Sequence, residues 1–148
     1  MENKAVLISI KPEWCAKIAS GGKTLELRKT VPKAFIKNAF FESIEPFKCY
    51  IYCTFSGPVL WLDGKPINSR VIGEFVCDYI LCHCDTAYAD VAERDSLVPR
   101  EDIRKYGNGK EVFGWHIRNL MIYDEPRRLQ EFGLERPPQS WCYVDNIF

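Results

Sequence analysis

Residues 21–28 read G-G-K-T-L-E-L-R, and the fold and the function both depend on how this stretch is interpreted. Three charged side chains, Lys23, Glu26 and Arg28, lie within six positions, immediately after two glycines. Ordinary surface charges on a solvated strand would explain the pattern, and so would a small polar site at the mouth of a cleft. From the spacing alone, an exposed ion pair is the simpler interpretation, and it would contribute at most about 1 kcal/mol.

The local pattern predicts that a helix ends here and a strand begins. Glycine accepts the left-handed conformation that a helix C-terminal cap requires, so Gly21-Gly22 stops the helix. Thr24–Lys29 then alternates as a strand does, with Leu25 and Leu27 on one face and Glu26 and Arg28 on the other. With the leucines facing the core, Glu26 and Arg28 face away from it together. If a helix covers that side, we expect Glu26 to contact Arg28 or Lys23.

Short β-rich runs dominate the rest of the chain. Ala5–Ile10 is predicted as the first strand, and Pro12 suits the first turn of the helix that follows it. Residues 56–69 contain two Gly and two Pro, which indicates a loop or a loose hairpin insertion. The later predicted strands are Lys48–Phe55, Arg70–Cys82, Gly114–Tyr123 and Trp141–Val144. The predicted helices are Thr86–Asp95 and Pro99–Tyr106. Shorter helical or irregular stretches are predicted from Pro32 to about Phe40 and over Arg127–Phe132.

This order predicts a mainly β, α+β fold. Regular βαβ alternation is missing, which argues against a doubly wound sheet. Five to seven strands in a small domain must cover their edges, and closing the sheet into a mixed or antiparallel barrel is the simplest solution. The 148 residues fit a single domain, 1–148. Gly73, inside the longest β run, indicates a bulge or a close approach by another backbone.

The composition excludes several classes of protein. No apolar run is long enough for a transmembrane helix, and the first apolar stretch is too short for a signal peptide. The seven cysteines are odd in number and mostly lie inside apolar runs, so we expect reduced thiols in a cytoplasmic protein. The run Cys77, Cys82, His83 and Cys84 lacks the spacing of a structural zinc site. We therefore predict no metal and no cofactor.

Charge is unevenly distributed along a chain whose formal net charge is zero. Residues 1–40 hold eight Lys or Arg and three Glu, a net charge of +5, and the remaining residues carry −5. Neutrality overall argues against a protein that coats duplex DNA by charge alone. The basic end contains G-G-K-T-L-E-L-R, so a local anionic ligand and a merely solvated basic face both remain open.

The stretch S-I-K-P-E-W, followed after six residues by G-G-K-T-L-E-L-R, resembles the start of an ASCH domain, whose mark is G-x-K-x-x-E-x-R. Gly21, Lys23, Glu26 and Arg28 fill all four positions. The pieces V-I-G-E-F-V-C-D, G-W-H-I and P-P-Q-S-W-C-Y-V are also similar to ASCH proteins of bacterial and phage-related genomes. The resemblance implies a PUA-like β-barrel with a cleft beside the motif and a role in binding RNA or a modified nucleotide.

The same resemblance carries an alternative function, because some members of the family are enzymes. One is an amidohydrolase acting on N4-acetylcytidine, with a site made of a Lys, a Thr three residues later and a Glu elsewhere. Lys23 matches that Lys, but Glu26 stands where the Thr is expected. The alternative that the resemblance implies is a hydrolase acting on RNA or on an acylated nucleoside, in which Lys23 and Glu26 exchange protons and Glu74 is a further candidate.

The candidate ligand-binding residues follow from the chemistry of a nucleotide. Arg28 offers a planar fork for a phosphate or a base edge, and Glu26 can accept the exocyclic amine of a cytosine or adenine. Lys23 supplies a further cation. Aromatic rings stack on bases, and the candidates beside a cleft are Tyr52, Trp141 and Tyr143. We predict RNA or a small nucleotide-like ligand as the partner and no association with a membrane.

Overall fold

The computed structural model describes residues 3–38 and 43–147. Its helices are α1 (Pro12–Ala19), α2 (Ala89–Ser96) and α3 (Arg100–Gly107). Single 3₁₀ turns cover Lys33–Phe35 and Leu129–Phe132. The strands are β1 (Lys4–Ile10), β2 (Leu25–Arg28), β3 (Phe47–Cys53), β4 (Trp61–Leu62), β5 (Lys65–Pro66), β6 (Arg70–Leu81), β7 (Phe113–Arg127) and β8 (Trp141–Asp145). The predicted stretch from Pro32 ends near Phe40, which lies outside the described residues.

Six strands form one mixed sheet in the order β2-β7-β6-β3-β1-β8. The pair β1 and β3 is parallel, and the other neighbours are antiparallel. The sheet curls into a half-barrel, and the mainly β, α+β prediction is confirmed. Residues 61–66 form a separate two-stranded hairpin, β4–β5, inside the predicted insertion. Among the described residues, no helix is long and apolar enough to cross a membrane.

The main core fills the concave side of the sheet. It includes Ile8 and Ile10 of β1, Cys15 and Ile18 of α1, and Trp115 of β7. A second cluster covers the other side of β1 and β3, and a third lies between β2 and the two helices α2 and α3. Apolar side chains alternate between the main and second clusters along β1 and β3, because successive strand residues point to opposite faces.

The turn from α1 into β2 positions the charged motif. Pro12 occupies the first turn of α1, and Gly21 follows the helix with φ +87°, which a residue with a Cβ rarely adopts. Both leucines of β2 pack into the third cluster. The intervening Glu26 pairs in register with Trp115, a residue of the main core. The predicted division of β2 into two faces is confirmed, but the polar face is turned into the protein.

Candidate functional site

The two edge strands of the sheet, β2 and β8, meet across a gap that side chains bridge. Arg28 Nη2 donates to the main-chain carbonyl of Ser9 at 2.6 Å. Trp141 Nε1 donates to Thr30 Oγ1 at 2.9 Å, and Trp115 Nε1 donates to the Thr30 carbonyl at 3.3 Å. We call this region, from Lys23 to Thr30 together with Ser9 and Trp141, the seam. Its contacts draw the two edges of the half-barrel together.

The three charged side chains of the motif converge on one another in the seam. Glu26 Oε1 lies 3.2 Å from Lys23 Nζ, and Glu26 Oε2 accepts from Arg28 Nη1 at 2.9 Å. Lys23 is 2% exposed and Glu26 4% exposed. The prediction that Glu26 contacts its neighbours is therefore confirmed. The interpretation of the motif as a solvated surface pair is wrong, because burial removes the charges from water.

Lys23 is held by two helices as well as by Glu26. Its Nζ donates to the carbonyl of Ser96, at the end of α2, at 2.7 Å. It also lies 4.7 Å from the centroid of the Trp14 ring of α1, a cation–π distance. Burial lowers the pKa of Lys23, while the attraction of Glu26 opposes that shift. The lysine thus fastens the motif to α1 and α2.

Arg28 is the member of the network nearest to solvent. Its side chain is 13% exposed, and Nη1 also donates to the carbonyl of Leu27 at 2.8 Å. Its Nε is buried and has no hydrogen-bond acceptor among the described residues. A buried donor without an acceptor carries a free-energy cost, which an acceptor that reached this N–H would remove. Two cations share one carboxylate here, and the excess charge is positive.

Aromatic side chains flank the seam. Trp141 packs against Trp115 with ring centroids 5.8 Å apart, and Tyr143 meets Trp141 edge-on at 5.3 Å. Tyr143 is partly exposed, and its hydroxyl accepts from the Ala34 amide at 3.1 Å. Trp141 therefore lies in the seam, whereas Tyr143 lies one ring further away, against Trp141 and Phe35.

The structure does not bring two of the predicted site residues to the motif. Tyr52 is buried in the second cluster, on the other side of β3. Glu74 on β6 pairs with Lys48 at 3.2 Å and accepts from the Tyr123 hydroxyl at 2.8 Å. Since Glu74 is in register with Tyr50, a second-cluster residue, its side chain also faces away from the seam.

Several contributors to the seam escape sequence reasoning. The carbonyls of Ser9 and Ser96 bind Arg28 and Lys23, and a main-chain acceptor leaves no mark on residue type. Tyr106 of α3 lies within electrostatic range of the motif. Burial raises its pKa, Glu26 acts in the same direction and Arg28 opposes it. The one feature of the sequence that bears on Tyr106 is its position at the end of the predicted helix Pro99–Tyr106.

Solved structures provide the comparison with known proteins. No protein-family profile and no curated protein sequence matches this chain. The sheet, the seam and the flanking helices define the class as a PUA-like α+β fold. In particular, the chain is similar to the ASCH protein from Zymomonas mobilis, at 24% identity and a TM-score of 0.67, covering 94% of this chain and 86% of that one.

Two variants of the same Zymomonas mobilis protein agree with this match. A serine-to-alanine variant gives a TM-score of 0.69 at 22% identity, covering 94% of this chain and 87% of the other. A tyrosine-to-phenylalanine variant gives a TM-score of 0.67 at 23% identity, with 94% and 88% covered. The resemblance expected from G-x-K-x-x-E-x-R is confirmed for the fold: this chain has the ASCH fold.

Proposed function

We propose that the seam binds RNA or a modified nucleotide. The observation that carries the proposal is the pairing of two cations, Lys23 and Arg28, with the single carboxylate of Glu26. An anionic ligand balances the remaining positive charge and provides the acceptor that Arg28 Nε lacks. Because Arg28 is the most exposed of the three, the ligand contacts it first.

The neighbouring rings support a base over a simple anion. Trp141 contacts Trp115 and Thr30 of the seam, Tyr143 packs against Trp141, and the two rings offer faces or edges to a planar ligand. A base stacked on an aromatic ring gains about 1–3 kcal/mol. The carboxylate of Glu26 accepts from an exocyclic amine once a ligand phosphate has taken over part of the Arg28 fork. A small or single-stranded ligand fits the neutral overall charge.

The test is titration of nucleosides, nucleotides and short single-stranded RNAs with wild type, Arg28→Ala and Arg28→Lys. A hydrogen bond to a charged group contributes about 1.5–3 kcal/mol, so Arg28→Ala should weaken binding about 10- to 150-fold. Arg28→Lys should restore only part of this, because lysine lacks the planar fork. Arg118→Ala, which removes an arginine paired with Asp78, is the charge-matched control. Equal affinity in wild type and Arg28→Ala would contradict the proposal.

A hydrolase is the second candidate, favoured by the lowered pKa of Lys23. A lysine whose pKa moves toward neutrality is a better proton acceptor, and Glu26 touches it. Chromatography after incubation with RNA and with N4-acetylcytidine separates turnover from binding. Products that appear with wild type and disappear with Lys23→Met would favour the enzyme. Turnover unchanged in Lys23→Met and Glu26→Gln would remove these residues from the reaction.

A further inference from the structure

A second polar and aromatic surface lies next to the seam, on the segment 54–69 that contains β4 and β5. We call this segment the arm. Phe55 is 81% exposed and Trp61 61% exposed, and Val59 is half exposed between them. Large aromatic side chains that are exposed to solvent together on one short segment indicate an interaction surface, whereas single exposed hydrophobic residues scattered over a surface do not. No side chain among residues 3–38 and 43–147 covers these two rings.

The base of the arm is one peptide group away from the Arg28 contact. The Ser9 carbonyl accepts from Arg28 Nη2, and the next carbonyl, that of Ile10, accepts from the Thr54 amide at 3.0 Å. At the other end of the arm, the Ser69 amide donates a hydrogen bond to the Cys53 carbonyl at 2.8 Å. Both ends of the arm are thus anchored at the end of β1 and β3 where Arg28 binds.

The arm is fixed in place by its buried side. Ile67 is part of the main core, and Leu60 and Leu62 pack against it. The Leu60 amide donates to Asn68 Oδ1 at 2.9 Å, and Lys65 Nζ donates to the Asp124 carbonyl at 2.9 Å. Phe55 and Trp61 are therefore displayed from a held segment, which reduces the ordering cost of binding.

Exposed cations lie beside the base of the arm. Lys11 follows Ile10 directly, and Arg70 pairs in register with Cys53. Both are exposed, and within residues 3–38 and 43–147 neither forms an ion pair with a carboxylate. Exposed aromatic rings next to unpaired cations match the two groups of a nucleic-acid strand, its bases and its phosphates.

We propose that the arm extends the seam into a track for single-stranded RNA, with bases stacked on Phe55 and Trp61 and phosphates at Lys11 and Arg70. The proposal rests on the proposed function of the seam, since the strand that the arm holds is the one whose nucleotide enters beside Arg28. Duplex RNA does not satisfy this surface, because its bases are already stacked. The occupant is therefore a strand of several unpaired nucleotides.

The experiment compares a dinucleotide with an unstructured octanucleotide by fluorescence anisotropy. Wild type should bind the octanucleotide more tightly. Phe55→Ala with Trp61→Ala should lower the octanucleotide affinity about 5- to 150-fold per ring, which corresponds to about 1–3 kcal/mol of stacking, and leave the dinucleotide affinity unchanged. Arg28→Ala should weaken both. Tyr88→Ala removes an exposed aromatic at the start of α2 and serves as the matched control.

The outcomes separate the arm from the seam. Octanucleotide binding that depends on Arg28 but not on Phe55 and Trp61 would overturn the track and leave the proposed function intact. Binding that depends on the arm but not on Arg28 would overturn the seam instead, and no RNA binding by wild type would end both. If wild type self-associates in sedimentation and the double variant does not, the arm is an interface with a second copy and the RNA track is wrong.

Discussion

Glu26 is the single residue on which the charged network depends. It is the only carboxylate within ion-pair distance of Lys23 or Arg28 among the described residues, and all three side chains are largely buried. We expect Glu26→Gln to lower the free energy of unfolding by about 3–5 kcal/mol, because it leaves two buried cations facing each other without a counter-charge. Urea denaturation followed by tryptophan fluorescence measures the change.

Lys23→Met is the matched variant for this prediction. It keeps the Glu26–Arg28 pair and replaces the buried lysine stem with a chain of similar length, so its cost should be clearly smaller than that of Glu26→Gln. If both variants lose the same stability, the network does not depend on the shared carboxylate. Far-ultraviolet circular dichroism of both proteins checks that the sheet is retained.

Strand parity explains which site residues were predictable and which were not. The alternation in L-E-L-R placed Glu26 and Arg28 together, and the structure confirms it. The alternation of side chains along one strand does not determine which face of another strand points to the same side of the sheet. Tyr52 and Glu74 therefore remained plausible until the sheet order placed them in and beside the second cluster.

At the scale of elements, Gly73 limits how β6 and β7 approach each other. A Cβ at this position would lie 2.4 Å from the Met121 carbonyl oxygen and 3.1 Å from the Ile122 Cα, so the predicted close approach of another backbone is confirmed. We expect Gly73→Ala to destabilise the protein by about 3 kcal/mol, since main-chain atoms cannot move aside as a side chain can. Thermal and urea unfolding provide the measurement.

Gly22→Ala is the control for that substitution. A Cβ on Gly22 meets the Leu97 side chain at an ordinary 3.5 Å, and its φ lies outside the left-handed region. Its cost should therefore be small. A loss in Gly73→Ala no greater than that in Gly22→Ala would mean that β6 and β7 can separate at this point without penalty.

The strands and helices were mostly predictable because each follows from local pattern, but β7 was not. The sequence predicts Gly114–Tyr123, whereas the strand runs from Phe113 to Arg127. Asp124, Glu125 and Pro126 favour a turn locally, yet pairing of Arg127 with Val71 of β6 continues the strand. A positive φ of 53° at Asn119 and shifts of register along the pair accommodate the extra length. Tertiary pairing overrides local preference here.

For the whole molecule, strand order is the property that local pattern leaves open. The chain begins with β1, α1 and β2, yet β1 and β2 are not neighbours, and β2 lies at the far edge of the sheet. Curling of the sheet brings that edge back to β1 and β8, where Arg28 reaches Ser9. The seam therefore exists only in the complete sheet, which is why the sequence predicts its charged motif and Trp141 but neither its main-chain acceptors nor its geometry.

Burial of thiols in this sheet predicts that stability falls in alkaline solution. Burial raises the pKa of Cys49 and of Cys77, both completely buried in the main core. Above about pH 8.5 these thiols ionise in the unfolded chain and stay protonated in the folded one, so the folded state binds more protons. The free energy of unfolding then falls as pH rises, by up to about 1.4 kcal/mol per pH unit for each such group.

Lys23 changes the free energy of unfolding with pH in the opposite direction to the buried thiols, so the pH dependence of stability tests the seam specifically. Its pKa is lowered, so between that value and its ordinary one the unfolded chain binds the extra proton, and stability rises with pH. Removing it with Lys23→Met should steepen the alkaline loss, whereas Cys49→Ala with Cys77→Ala should flatten it. Urea denaturation under reducing conditions at a neutral and an alkaline pH measures both slopes. If wild type and the cysteine variant lose the same stability at alkaline pH, the loss comes from groups other than the buried thiols. If Lys23→Met leaves the dependence of stability on pH unchanged, Lys23 keeps its proton throughout and is a poor candidate for proton transfer.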